Sequence, residues 1–177
     1  RSGVGFQRGV LGAVVERVRT SVVGDQAIDI EPTGETAYAG LPIAGDILVD
    51  DCDLMRGPDA QGPWVAGVNG GGVSTVDNLT IRGTRFDEGG IFISDAKNMR
   101  LQDLVLTNRP GRAEPVILAQ KRVTLELVDV VLARSGAPGP VLKVQEHSGN
   151  APENVTLFGG SLLQATSGPV ISTVSLG

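Results

Sequence analysis

One phrase returns along this chain and limits what it can fold into. It reads apolar-x-apolar-x-(Gly/Asp)-x-x-apolar. It occurs at Ile47, Val49, Asp51, Leu54; at Leu79, Ile81, Gly83, Phe86; at Met99, Leu101, Asp103, Leu106; at Leu125, Leu127, Asp129, Leu132; and at Val155, Leu157, Gly159, Leu162. A weaker copy starts at Ala13 and Val15, with Arg17 in the Gly/Asp place. The intervals between the five clear starts are 32, 20, 26 and 30 residues. A second phrase, a turn residue followed by a short apolar run, accompanies each copy. Its forms are QAIDI (26–30), GPWVAGV (62–68), GGIFIS (89–94), EPVILA (114–119), GPVLKV (139–144) and GPVISTV (168–174). Constant phrases with variable spacers mark a solenoid whose strands keep register while its loops differ.

The alternation has period two, which means strands, and the Gly, Pro, Asn and Asp of the spacers mean turns. The units are too short for paired helices. Strands from successive turns of such a chain stack in parallel, about 4.8 Å apart, with alternate side chains pointing into a narrow core. The expected fold is all-β: a right-handed parallel β-helix of about six coils, right-handed by the usual crossover preference. It occupies residues 1–177 as a single domain, expected to be part of a longer chain.

Composition fits this reading. Aromatic residues make up 3% of the 177 and there are 25 glycines, so Val, Leu and Ile must fill the core of a backbone that turns often. A net charge of −5 argues against a general nucleic-acid binder, which needs a basic surface. One Cys and one His exclude an internal disulfide and a zinc site built from Cys and His alone. No apolar run is long enough for a membrane span.

Asp46, Asn78, Asn98 and Asn154 each stand just before the first apolar residue of a copy. Asn and Asp tolerate the left-handed backbone and bond locally at corners, so a side-chain ladder between coils is expected. NLT and NVT also read as glycosylation sequons. Residues 1–30 read either as one more coil or as a short amphipathic helix over Leu11, Val14, Val15, Val18 and Val22; the coil is favoured because QAIDI fits the second phrase.

The pattern resembles the right-handed parallel β-helix superfamily of pectate lyases, polygalacturonases and phage tailspikes, over nearly the whole chain. The closest likeness in style is to phage tailspike domains. The phrase Ala27-Ile28-Asp29-Ile30-Glu31-Pro32 is similar to a (Gly/Ala)-Ile-Asp-Ile-Glu-Pro sequence that recurs in β-helices of phage tail proteins and secreted carbohydrate-active proteins. The resemblance implies a polysaccharide-facing surface and an extracellular or virion-surface location.

Asp29 and Glu31 carry the sharpest chemical signal. With Ile28 and Ile30 facing the core, both acids face out, about 6.5–7 Å apart along the strand. That separation suits the paired carboxylates of glycoside hydrolysis, which makes them the candidate catalytic pair. A hydrated outer strand is the plain alternative. Trp64 can give a sugar ring a flat apolar face or plug the core. Arg82 and Arg100, outward on the first phrase, are candidate substrate-binding cations, and Arg82 is expected one coil from Asp50. Asp50, Asp51 and Asp53 crowd one turn; hard oxygen ligands there could hold Ca²⁺, as some pectate lyases of this fold do, or could form a polar turn with an Asp–Arg ladder. His147 has no Ser or Cys fixed beside it and reads as a loop histidine. Cys52 reads as a small core filler. The glycine run 70–72 opens no helix and is a poor phosphate cradle.

Three functions follow as expectations. The first is a glycan-facing β-helix of a tailspike or similar surface-attachment protein, binding a cell-surface polysaccharide and, in its catalytic form, cleaving it. The alternatives are a secreted monomeric polysaccharide lyase, hydrolase or epimerase, and a structural or adhesive solenoid without a site. The second-phrase strands carry apolar residues at successive positions, which suggests an outward column of Val65, Phe92, Ile117, Leu142 and Ile171. Such a patch asks for cover, from a loop (32–46 or 55–63) or from a neighbouring subunit in a homo-oligomer, a trimer first. A cap, a partner or more chain is also expected beyond GPVISTVSLG.

Overall fold

The computed structural model describes residues 3–6, 9–20, 24–31, 44–56, 60, 62–70, 75–86, 88–108, 111–134, 136, 138–164 and 169–174. Among them every regular element is a strand and all named strand pairs are parallel. The weak first copy of the repeat is a strand, not a helix: Val10–Glu16 pairs along its length with Ala44–Asp50. Val22 of the helical alternative, Pro32, most of the loop 32–46 and the glycines at 71 and 72 lie outside the described residues.

The strands form three families. Second-phrase strands are β1 (Val4–Phe6), β4 (Ile28–Ile30), β7 (Trp64–Asn69), the first halves of β10 (Gly90–Gln102) and β12 (Ile117–Val128), β14 (Leu142–Gln145) and β17 (Ile171–Val174). First-phrase strands are β2 (Val10–Glu16), β5 (Ala44–Asp50), β8 (Val76–Arg82), the second halves of β10 and β12, and β15 (Asn154–Phe158). Short strands follow the Gly/Asp position: β3 (Arg19–Thr20), β6 (Asp53–Leu54), β9 (Arg85–Phe86), β11 (Val105–Thr107), β13 (Val131–Arg134) and β16 (Ser161–Gln164). Each strand lies beside its counterpart from the neighbouring repeat.

Register places the phrase residues in columns. Val15, Val49, Ile81, Leu101, Leu127 and Leu157 stand opposite one another in sequence. So do Ala13, Ile47 and Leu79, then Met99, Leu125 and Val155. The two runs join because Arg100 stands opposite Thr80 and Leu101 opposite Ile81. From Ile47 to Leu127 these side chains are sealed from solvent. Each full burial of this size is worth about 1.5–3 kcal/mol against exposure, so aligned aliphatics, not aromatics, hold the stack.

The Gly/Asp place has a backbone cause. Arg17, Asp51, Gly83, Asp103, Asp129 and Gly159 all have positive φ, from 49° to 68°. The first five donate their N–H to the residue before the corner in the next repeat, as Asp51 does to the Arg82 carbonyl at 3.2 Å and Asp103 to that of Val128 at 3.0 Å. The left-handed conformation turns the chain between the first-phrase strand and the short strand, and Gly and Asp reach it at least cost. Arg17 takes the same conformation without either residue's advantage.

The expected outward column is corrected. Val65, Ile117 and Leu142 are buried, whereas Phe92 does face outward and Ile171, in register with Leu142, is 48% exposed. The cause is a β-bulge: the N–H groups of Val116 and Ile117 both reach the Val141 carbonyl (2.9 and 3.1 Å), and those of Val141 and Leu142 both reach Val170. A bulge spends two residues where its neighbour spends one, which breaks strict alternation. The true outward row is Asp29, Gly67, Phe92, Leu118, Lys143 and Ser172.

Two buried arginines close the loops between short strand and second phrase. Arg134, 2% exposed, donates to the carbonyls of Arg112 (3.3 Å), Ala113 (3.0 Å), Pro138 (3.1 Å) and Glu114. Burial pulls its guanidinium below the ordinary arginine value, with Glu114 opposing. Arg56 does the same for Gly62 (2.9 Å), Trp64 (3.2 Å) and Glu88. Planar five-donor guanidinium suits carbonyls that converge from several directions.

Candidate functional site

Asp29 and Glu31 face outward, as β4 requires once Ile28 and Ile30 fill the core. Asp29 stands opposite Gly67, and Gly67 opposite Phe92. The row therefore reads carboxylate, gap, ring, over two strand spacings or about 10 Å. Gln26, Asp29, Glu31, Trp64, Gly67, Asn69 and Phe92 enclose a cavity of about 220 Å³ above that gap. A Cβ at position 67 would run into the Gln26 amide, so the glycine makes room for that side chain to lie over it.

Trp64 lies at the start of β7 and is half-buried, which decides between its two expected roles: it lines the cavity and does not plug the core. Its ring meets that of Phe92 with centroids 5.9 Å apart and planes tilted by 44°. Gly90 makes room for it; a Cβ there would stand 3.0 Å from Trp64 Cζ3. Glu31 accepts a hydrogen bond from Asn69 Nδ2 at 3.2 Å, which orients both side chains across neighbouring strands. Two aromatic faces, two carboxylates and two amides share one small concavity. Such a set can stack on the apolar face of a ring and bond to polar groups at its edge.

The arginine candidates lie elsewhere, on the first-phrase face. Arg82 grips Asp50 with two hydrogen bonds, Nε to Oδ1 at 2.9 Å and Nη2 to Oδ2 at 2.7 Å. The two residues stand opposite in register, as expected. That pairing holds the Asp50 carboxyl below its usual range. Arg100 pairs with Glu126 at 3.6 Å and donates to Gln102 at 3.1 Å. It lines a polar groove of about 490 Å³ with Asn78, Thr80, Asn98, Thr124, Glu126, Asn154 and Thr156. Asp29, Glu31 and Trp64 thus line one cavity, and Arg82 and Arg100 do not line it.

The three carboxylates of the acidic turn do not come together as a group. Asp50 is engaged by Arg82, Asp51 is an exposed corner residue, and Asp53 pairs with Arg19 at 3.4 Å. Arg17, Arg19 and Arg85 line the adjoining cavity. Among the described residues no group of three His, Cys, Asp or Glu side chains comes together to hold a metal. The Asp–Arg ladder weighed against calcium is what the turn contains.

The asparagine ladder forms in part. Asp46, Asn78 and Asn98 all have φ near +50°, and Asn78 Nδ2 donates to Asp46 Oδ1 at 2.6 Å. Asn98 bonds to Asp77 at 2.8 Å instead of to Asn78, and Asn154 stands opposite Thr124. The β10–β12 register shifts between Ala96 and Met99, which removes the corner residue from the β12 copy and breaks the ladder. His147 closes a tight hairpin with Asn150 and is exposed; Cys52 is buried, with its thiol against the Asp50 carbonyl at 3.2 Å.

Gln26, Gly67, Asn69 and Phe92 complete the cavity and were not legible as site residues. Reading GPWVAGV and GGIFIS with the bulge in place would have set Gly67 beside Phe92. Comparison of the chain with family models, with curated proteins and with solved structures found no match.

Proposed function

We propose that the chain is a right-handed parallel β-helix of about six coils whose second-phrase face binds a polysaccharide, in the manner of a tailspike or similar surface-attachment protein at a virion or cell exterior. The observation that carries this reading is the cavity that Asp29, Glu31 and Asn69 share with the Trp64–Phe92 pair, with the Gln26 amide lying over Gly67. Sugars present alternating apolar faces and polar edges, and this cavity offers both complements. The architecture supports the reading by repetition: parallel strands in register extend the same surface past the cavity, so a chain-like ligand can lie across several repeats. The corrected outward row keeps Phe92 and Leu118 and leaves Ile171 48% exposed, so a homo-oligomer, a trimer first, stays part of the proposal.

Cleavage is the second reading, favoured by two carboxylates two residues apart, one in β4 and one just past its end. One would protonate the leaving oxygen and the other would activate water or attack directly. A glycan panel combined with a reducing-end assay tests both readings. Retention of a glycan without new reducing ends supports binding alone. Reducing ends that disappear in Asp29→Asn or Glu31→Gln, with the thermal midpoint kept, support catalysis. A blank panel with no reducing ends removes the proposal.

A further inference from the structure

We infer that the cavity beside Trp64 prefers a sugar carrying a free ammonium group, an amino sugar, over a neutral or acidic one. The inference rests on the glycan-binding reading above and narrows it by charge. Glu31 brings a carboxylate to the cavity, and its hydrogen bond from Asn69 is a neutral one that leaves the negative charge in place. Asp29 adds a second carboxylate to the wall. The rings of Trp64 and Phe92 meet at the same concavity, and an aromatic face attracts a cation held within about 6 Å of its centre. Acid and ring therefore act in the same direction on a bound ammonium, and in opposite directions on a bound uronate. A uronate would stand beside like charge, which disfavours it.

The remaining lining sharpens the choice. The Gln26 side chain lies against Gly67, and Gln26 and Asn69 supply neutral donors and acceptors for ring hydroxyls without altering the charge preference. Lys143, further along the same outward row, is separated from Gly67 by Phe92 and Leu118. That is three strand spacings or about 14 Å, beyond the Debye length of ~8 Å at physiological salt.

Trp64 is the chain's single tryptophan, so its emission reports this cavity without labelling. The test titrates the whole chain with glucosamine oligosaccharides, with their fully N-acetylated counterparts and with oligogalacturonate of equal length. The expected result is at least a tenfold preference for the glucosamine form over the other two at pH 6. That preference should decline as the amine loses its proton near pH 8, about the range of an α-amino group. Glu31→Gln should narrow it severalfold. Equal or tighter binding of the N-acetylated or galacturonate form overturns the ammonium preference and leaves a glycan site standing. Silence of Trp64 toward all three overturns the preference, and a blank on the wider glycan panel then removes the site as well.

Discussion

The two halves of β10 present different surfaces, although one strand carries both. Residues 96–102 belong to a face where polar side chains answer one another. Asn98 bonds to Asp77, Lys97 to Glu153 at 2.9 Å and Arg100 to Glu126, and Asp50 with Arg82 continues the pattern one repeat earlier. Residues 90–94 belong to a face where Phe92 meets Trp64 beside Glu31, with glycine between ring and acid. On the first face stacking places complementary groups opposite each other, and the surface is largely self-satisfied. On the second, the row of Asp29, Gly67 and Phe92 is chemically mixed, and it leaves a concavity. In a repeating fold, a break in the ladder's complementarity is a better pointer to function than charge alone.

The bend between the two halves has its own device. Asp95, buried and with φ of 51°, sits between Arg122 (3.0 Å) and Lys121 (3.5 Å) of the next repeat. A buried carboxylate in this position is tolerable because cations of the adjacent strand face it.

The comparison can be broken first through the core that both faces share. Leu101→Ala removes a fully buried side chain between Ile81 and Leu127. It should cost about 2–5 kcal/mol by denaturant unfolding and disturb both faces together. Arg134→Leu comes next. It strips donors from the carbonyls of Arg112, Ala113, Glu114 and Pro138, and an unsatisfied buried acceptor costs about 1–3 kcal/mol. Arg134→Lys should restore only part of the loss, since an ammonium cannot reach the same carbonyls in one plane.

Trp64→Ala separates the faces. Glycan affinity should fall by about tenfold or more, or roughly 1.4 kcal/mol, whereas Thr80→Ala on the opposite groove should leave it unchanged. Isothermal titration with a ligand from the glycan panel reads both. The smallest effect belongs to Arg82→Ala. Asp50 has its folded pKa lowered, chiefly by the Arg82 hydrogen bond. Its contribution is therefore present above the unfolded carboxylate value, about 3.9, and disappears as pH falls through the lower folded value. Wild type should exceed the variant slightly in thermal midpoint at pH 6 and match it near pH 2. Both residues are solvent-exposed enough that salt should shrink the gap.

The stack was legible because its cause is local. Each Gly/Asp position needs a left-handed corner, each flanking aliphatic needs the core, and both demands recur at every turn from Ile47 to Gly159. The site was legible by half. Asp29 and Glu31 follow from the alternation of AIDIE, and Trp64 from its rarity. Phe92 was read correctly as outward, but Gly67 was hidden beside it: a bulge makes two successive residues, such as Val116 and Ile117, face inward, and period-two counting then put Val65 outside in place of Gly67. The Asp50 partner of Arg82 was legible one coil away, whereas Glu126 as the partner of Arg100 was not. The loop-closing work of Arg56 and Arg134 has no sequence signature, since their acceptors are backbone carbonyls from distant segments.

Backbone amide shift mapping during titration with a glycan ligand tests the central claim most directly. The account predicts perturbations confined to residues 26–31, 64–69 and 90–94, with 76–82 and 98–102 silent. Perturbations centred on the Asn78–Arg100–Glu126 groove, with Trp64 and Glu31 unmoved, would contradict it.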